Sequence, residues 1–135
     1  MIVTDTNVLA RFIMSDDAAV DRLAEIDRDW VAPPLWRSEF RSALAGYARI
    51  EGLSLEVAIE AYEKAAAIVT EQPVDTAAVL RLVSASPCTA YALEFIALAQ
   101  RLEVPLVTLD RQLLSEFPGL AMSPQSFGDG DAEVS

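Results

Sequence analysis

Apolar residues along this chain fall into short dense runs separated by longer stretches with a three- to four-residue rhythm, the pattern of strands alternating with helices. Ile2 and Val3 form a short β-forming run that ends at Asp5-Thr6-Asn7. Thr6–Ile13 reads as a short helix, and Ser15, Asp16 and Asp17 offer an N-cap for a second helix to about Arg28. Trp30–Ala32 reads as a brief strand, and Pro33 and Pro34 suit the first turn of a helix to about Ile50, ended by Gly52. Ser54 caps the next helix, with Ala58, Ile59, Tyr62, Ala65, Ala66 and Val69 at helical spacing. Gln72–Val74 is expected as a strand that Pro73 confines to a sheet edge. Asp75 or Thr76 then caps a helix to about Ser84. Thr89–Glu103 is the next helix, Pro105–Leu109 a strand, Arg111–Leu114 a helical turn and Gly119–Met122 a final strand. Strict alternation of this kind favours α/β with a mostly parallel sheet.

Parallel sheets place their loops and helix N-termini at the carboxyl edge, where ligands bind. The first strand delivers Asp5 to that edge, and Pro105–Asp110 (PLVTLD) delivers Asp110 in the same way. Two carboxylates about 4 Å apart repel by roughly 4 kcal/mol at an effective dielectric near 20, so such a pair calls for a shared proton, more separation or a cation. At about 100° per residue, Trp36, Phe40, Ala43, Leu44 and Tyr47 share one helix face, with Glu39 at its margin and Arg37 and Arg41 on the far side. Tyr91, Phe95, Leu98, Ala99 and Leu102 form the core face of the Thr89–Glu103 helix. Ala92 sits at its margin in the first turn, and Glu94 lies roughly 160° away around the axis.

Composition narrows the chemistry. The 135 residues fit one soluble domain, and no apolar run reaches the ~18 residues of a membrane span. No signal-peptide pattern is visible. A single cysteine, Cys88, excludes an internal disulfide and suits a reducing cytoplasm. There is no histidine, which excludes Ser-His-Asp and Cys-His catalysis and most zinc sites. Chemistry must then run on carboxylates, hydroxyls or an oxygen-bound metal. A net charge of −11 argues against broad charge-driven nucleic-acid binding and favours a basic protein partner.

Asp5-Thr6-Asn7, the acid in WRSEF, the AYALEFIALA segment and TLDRQL together resemble the PIN-domain family, in particular the toxin ribonucleases of bacterial VapBC-type toxin–antitoxin pairs. The resemblance spans Met1 to Met122 and implies a three-layer α/β/α domain over residues 1–122, with residues 123–135 a short, frayed acidic tail. It places acids at the positions of Asp5, Glu39, Ala92 and Asp110; three match, and the third is alanine, within Ala90-Tyr91-Ala92. That gap implies an engineered Asp→Ala change or a naturally degenerate copy, and the intact surroundings favour the first. The implied activity is metal-dependent endoribonuclease chemistry, impaired here by Ala92. The cofactor is Mg²⁺ or Mn²⁺, which all-oxygen ligands select and which activates water without histidine. Asp5 and Asp110 serve as ligands in this reading, Glu39 positions water or metal, and Thr6, Asn7 and Thr108 orient the carboxylates. The implied partners are RNA, a cognate antitoxin clamping the Pro34–Val69 hairpin, and a second copy of the toxin in a homodimer.

Other readings of the same residues stay open at this level. Asp5 and Asp110 both stand where helix N-caps stand, Glu39 where a snorkelling surface acid does, and Arg11, Arg37, Arg41 and Arg49 suit solvent or RNA phosphates. A haloacid-dehalogenase-like phosphatase would use Asp5 as nucleophile, but position 7 is Asn and Lys64 is the only lysine. A catalytically silent binding module, with Ala92 native, is the third reading.

Overall fold

In the computed structural model, which describes residues 1–130, five strands form one all-parallel sheet. They are β1 (Ile2–Thr4), β2 (Trp30–Ala32), β3 (Val69–Glu71), β4 (Leu106–Val107) and β5 (Ala121–Met122), in the spatial order β3-β2-β1-β4-β5. β1, β2 and β4 are buried throughout, because helices cover the sheet and its strands need no polar face. Among the described residues eight helices connect and flank them: α1 (Thr6–Met14), α2 (Ala18–Ile26), α3 (Trp36–Glu51), α4 (Leu55–Ile68), α5 (Thr76–Ala85), α6 (Ala90–Leu102), α7 (Arg111–Glu116) and α8 (Pro124–Gly128). No single one is long and apolar enough to cross a membrane.

The strand order matters for function. The chain starts in the middle at β1, moves outward to β2 and β3, then returns across the sheet to β4 on the other side of β1. The β1/β4 boundary is therefore where the winding reverses, the place at which α/β sheets open a crevice beyond their carboxyl ends. Asp5 N and Val107 O, 3.3 Å apart, extend the β1–β4 ladder to the rim of that crevice. α6 packs against both strands and contributes Leu93, Phe95, Ile96, Leu98 and Ala99 to the core, which fixes the placement of its N-terminal turn. α3 contributes Trp36, Phe40 and Leu44, with the Trp36 ring stacked on Tyr62 of α4 at 5.6 Å.

Several local expectations shift. The third strand lies at Val69–Glu71 rather than Gln72–Val74. Val69 leaves α4 directly into extended backbone, and Gln72 N donates to Ala32 O at 3.1 Å, so the ladder is complete before Pro73, which has no N–H to give. The edge position expected of it holds. Pro33 and Pro34 form the turn ahead of α3 instead of its first turn, and Gly52, at φ 69°, ends that helix in the left-handed region. Asp17, not Ser15 or Asp16, caps α2, through the amides of Ala19 and Val20. Ser123 caps a short helix where a frayed tail was expected; α8 packs on α2, and Arg22 Nε donates to Gly128 O at 3.3 Å. The rest of that tail, 131–135, lies outside the described residues.

Candidate active site

Asp5, Glu39, Ala92 and Asp110 line one cavity of about 450 Å³ at the β1/β4 crevice, together with Thr6, Asn7, Ser42 and Thr89. Each residue arrives for a local reason. Asp5 is the N-cap of α1: its Oδ1 accepts from the Val8 amide at 3.0 Å, and its Oδ2 accepts a short hydrogen bond from Thr108 Oγ1. Thr108 is fully buried, and the same hydroxyl oxygen accepts from the Asp110 amide at 3.0 Å. One side chain thus ties the Asp5 carboxylate to the backbone that carries Asp110. Asp110 caps α7, with Oδ1 accepting from the amides of Gln112 and Leu113. Glu39, in the first turn of α3, accepts from Thr6 Oγ1 at 2.8 Å, which joins α3 to the N-terminus of α1. The capping and site readings of Asp5 and Asp110 are therefore compatible, since each cap leaves its carboxylate on the cavity wall.

The fourth wall is built and lacks only the acid. Thr89 caps α6 through the Ala92 amide at 3.2 Å, and the Ala92 methyl lines the cavity. Asn7 lines the cavity at an exposed position.

The electrostatics are those of carboxylates crowded without a counter-charge. Asp5 is 7% exposed, and its pKa is pushed from the ordinary 3.8 up to about 6. Burial is the main cause; the charges of Asp110 and Glu39 add to it, while the bonds from Thr108 and Val8 oppose it. Burial also raises Glu39, against the Thr6 hydrogen bond. Among the described residues no three Asp, Glu, His or Cys side chains are gathered closely enough to enclose a metal by themselves. Magnesium and manganese need less than that, because they keep several waters and bind through one or two carboxylates plus substrate phosphate. An all-oxygen donor set, mutual repulsion and two raised carboxyls fit such an ion.

Glu94 is a residue that helical projection set aside. It is half-buried, and its carboxyl is raised by burial and then by the charge of Glu39, so its long side chain comes within reach of the Glu39 field without lining the cavity. Tyr91 was expected in the core and is 65% exposed at the cavity mouth. Ser42, one turn beyond Glu39, and Thr89 also line the cavity; helical spacing and the capping position were their only signals. Arg37 is partly exposed and already engaged within the chain: it pairs with Glu71 and donates to Tyr62 OH at 2.9 Å. Arg11 pairs with Asp17 at 3.2 Å. Lys64 is exposed on α4, outside the cavity, so the lysine a phosphatase reading needs is absent from this site.

A family model described as PIN domain matches residues 2–120. The chain belongs to the PIN domain family. PIN domains are generally metal-dependent nucleases. Among solved structures, the chain is similar to PAE2754 from Pyrobaculum aerophilum, at 19% identity and a TM-score of 0.76 over 98% of this chain and 95% of that one. It is also similar to VapC20 of Mycobacterium tuberculosis, a sarcin–ricin loop cleaving toxin, at 15% identity and a TM-score of 0.64 over 87% of this chain and 95% of that one. At these identities the likeness establishes the PIN fold. No curated protein matches the chain by sequence.

Proposed function

We propose that this chain is a VapC-type toxin of a toxin–antitoxin pair, an Mg²⁺- or Mn²⁺-dependent endoribonuclease fold whose activity is impaired by alanine at position 92. The observation that carries the reading is the convergence of Asp5, Glu39 and Asp110, from three distant parts of the chain, on one cavity whose remaining wall ends in the Ala92 methyl. Asp5 and Asp110 are the ligands; the Asp5 carboxylate is held by Thr108 and the α1 amide, the Asp110 carboxylate by the first amides of α7. Glu39, oriented by Thr6, holds and polarises the attacking water from the α3 side. A divalent cation supplies charge neutralisation and Lewis acidity at the scissile phosphate. Ser42, on the cavity wall, orients the sugar–phosphate backbone.

The partner side of the proposal rests on the α3–α4 hairpin. A larger, mostly apolar groove of about 780 Å³ runs between those helices, lined by Leu44, Ala48, Leu53, Leu55, Ile59 and Tyr62. Ile59, part of the apolar stripe of α4, is half exposed, so the apolar face of α4 is only partly spent on this chain's own packing. We assign the groove to the antitoxin, whose basic character the net charge of −11 favours. A homodimer in a reducing cytoplasm completes the reading. The test is the reversion Ala92→Asp assayed for Mn²⁺-dependent cleavage of RNA: activity appearing only in the revertant supports the proposal. Cleavage by the unaltered chain at the revertant's rate contradicts the impairment, and cleavage by neither contradicts the nuclease reading.

A further inference from the structure

Beside the acidic cavity lies a second opening of about 510 Å³, lined by Asn7, Arg11, Ala43, Gly46, Tyr47 and Leu109. The two adjoin, sharing Asn7 and Ala43 as wall residues. Gly46 sits inside α3, where glycine costs about 1 kcal/mol relative to alanine. No packing demands it: a Cβ built there meets nothing within 4 Å. Its effect is to leave space in the groove. The walls offer the half-buried aromatic body of Tyr47, the apolar Leu109 and Ala43, and hydrogen-bonding groups that include the exposed Asn7 amide, the Arg11 guanidinium and the exposed Glu51 carboxylate, an acceptor for a base's exocyclic N–H. Asp17 accepts one Arg11 N–H at 3.2 Å, which orients the guanidinium and leaves its other donors available.

We infer that this groove is a nucleobase subsite, holding the base next to the scissile phosphate of a single-stranded RNA. Tyr47 provides the stacking face and Asn7 and Arg11 meet the edge of the base. The inference rests on the nuclease reading above and adds to it how the substrate is gripped. An acidic body gains little from phosphate contacts, since counterion release needs lysine and arginine. Base stacking is indifferent to charge, and truncating an aromatic platform costs roughly tenfold or more in affinity. Unpaired bases splay out readily, which suits a slot opening beside the carboxylates.

The chain with Ala92 serves as a binding form. Fluorescein-labelled single-stranded RNA oligonucleotides are titrated with Mn²⁺ present against the unaltered chain, Gly46→Leu, Tyr47→Ala and Tyr47→Phe. Gly46→Leu and Tyr47→Ala are each expected to weaken binding about tenfold, Tyr47→Phe by no more than about twofold. An oligonucleotide with abasic positions is expected to bind all four forms equally weakly. In the Ala92→Asp background, Gly46→Leu is expected to erase the preference for the base adjoining the cut. Equal RNA affinity for all four proteins, with cleavage by Ala92→Asp intact and its preference unchanged by Gly46→Leu, overturns the subsite and leaves the nuclease standing. Absence of both RNA binding and Ala92→Asp cleavage overturns the nuclease reading and the subsite with it.

Discussion

The two walls of the acidic cavity are built alike and equipped differently. On the β1/β4 side, Asp5 and Asp110 cap helices and are linked through the buried hydroxyl of Thr108. On the α6 side the same capping geometry is present, with Thr89 holding the Ala92 amide, yet the side chain at the rim ends at a methyl group. The difference teaches that the α6 wall is framed by a neutral cap and core packing, whereas on the β1/β4 wall the capping groups are themselves the carboxylates. The α6 wall can therefore lose its carboxylate and keep its shape.

The first way to break the comparison is to strip the equipped wall. Asp5→Asn, made in the Ala92→Asp background, is expected to abolish RNA cleavage, a loss of at least about 100-fold in a single-turnover assay. The same change is expected to stabilise the metal-free protein. Folding raises the Asp5 pKa from 3.8 to about 6, so the native state binds more protons than the unfolded chain across that window. The Asp5 contribution to stability is then favourable at low pH and falls as pH rises from about 4 to about 6. Above pH 6 the buried charge costs up to about 3 kcal/mol. Thermal melts with a chelator should show Asp5→Asn several degrees above the unaltered chain at pH 7.5 and level with it near pH 3.5. A revertant equally active without the Asp5 carboxylate, or an Asp5→Asn chain that melts lower at pH 7.5, would break the account of this wall.

Removing the link is next in size. Thr108→Val keeps the buried volume but leaves Asp5 Oδ2 without its donor, and Mn²⁺ affinity by calorimetry is expected to drop about 10- to 100-fold. The Asp5 pKa should rise further, since the Thr108 bond now lowers it. Proton displacement gives a third, intermediate effect. Cation binding must expel the Asp5 proton below about pH 6, so affinity should climb up to about tenfold per pH unit there and level off above it. A flat profile from pH 4.5 to 7 would remove Asp5 from the ligand set. The smallest effect belongs to the unequipped wall. Thr89→Ala is expected to cost about 1 kcal/mol of stability in urea denaturation with no change in Mn²⁺ affinity, because that wall holds no carboxylate.

Much of this was legible in the chain itself. The alternation of runs gave the parallel sheet, and the strand ends at Asp5 and Asp110 announced the rim, because a cap residue after a β-run is a local signal. Glu39 and the gap at Ala92 followed from helical projection and family resemblance. What local pattern does not carry is which face of an apolar helix finds a partner. Ile59 and Tyr91 have the spacing of core residues and stand exposed, Ile59 beside a groove this chain leaves open and Tyr91 at the cavity mouth. Side-chain reach is equally invisible: projection set Glu94 aside, although its carboxyl feels the charge of Glu39. The Arg37–Glu71–Trp36 cluster joins residues 34 and 35 positions apart, and no local rule connects them. The α8 turn hides in a stretch of turn-forming composition, and its order comes from contact with α2, more than 90 residues upstream.

The claim on which the rest turns is that Asp5 and Asp110 hold a hard cation, with Glu39 placing the attacking water beside it, in a site that an acid at position 92 would complete. Calorimetric titration of Mn²⁺ into the unaltered chain, Ala92→Asp and Asp5→Asn measures it directly. The account predicts weak binding by the unaltered chain, binding at least about tenfold tighter by Ala92→Asp, and none by Asp5→Asn. Equal affinities across the three proteins would contradict it.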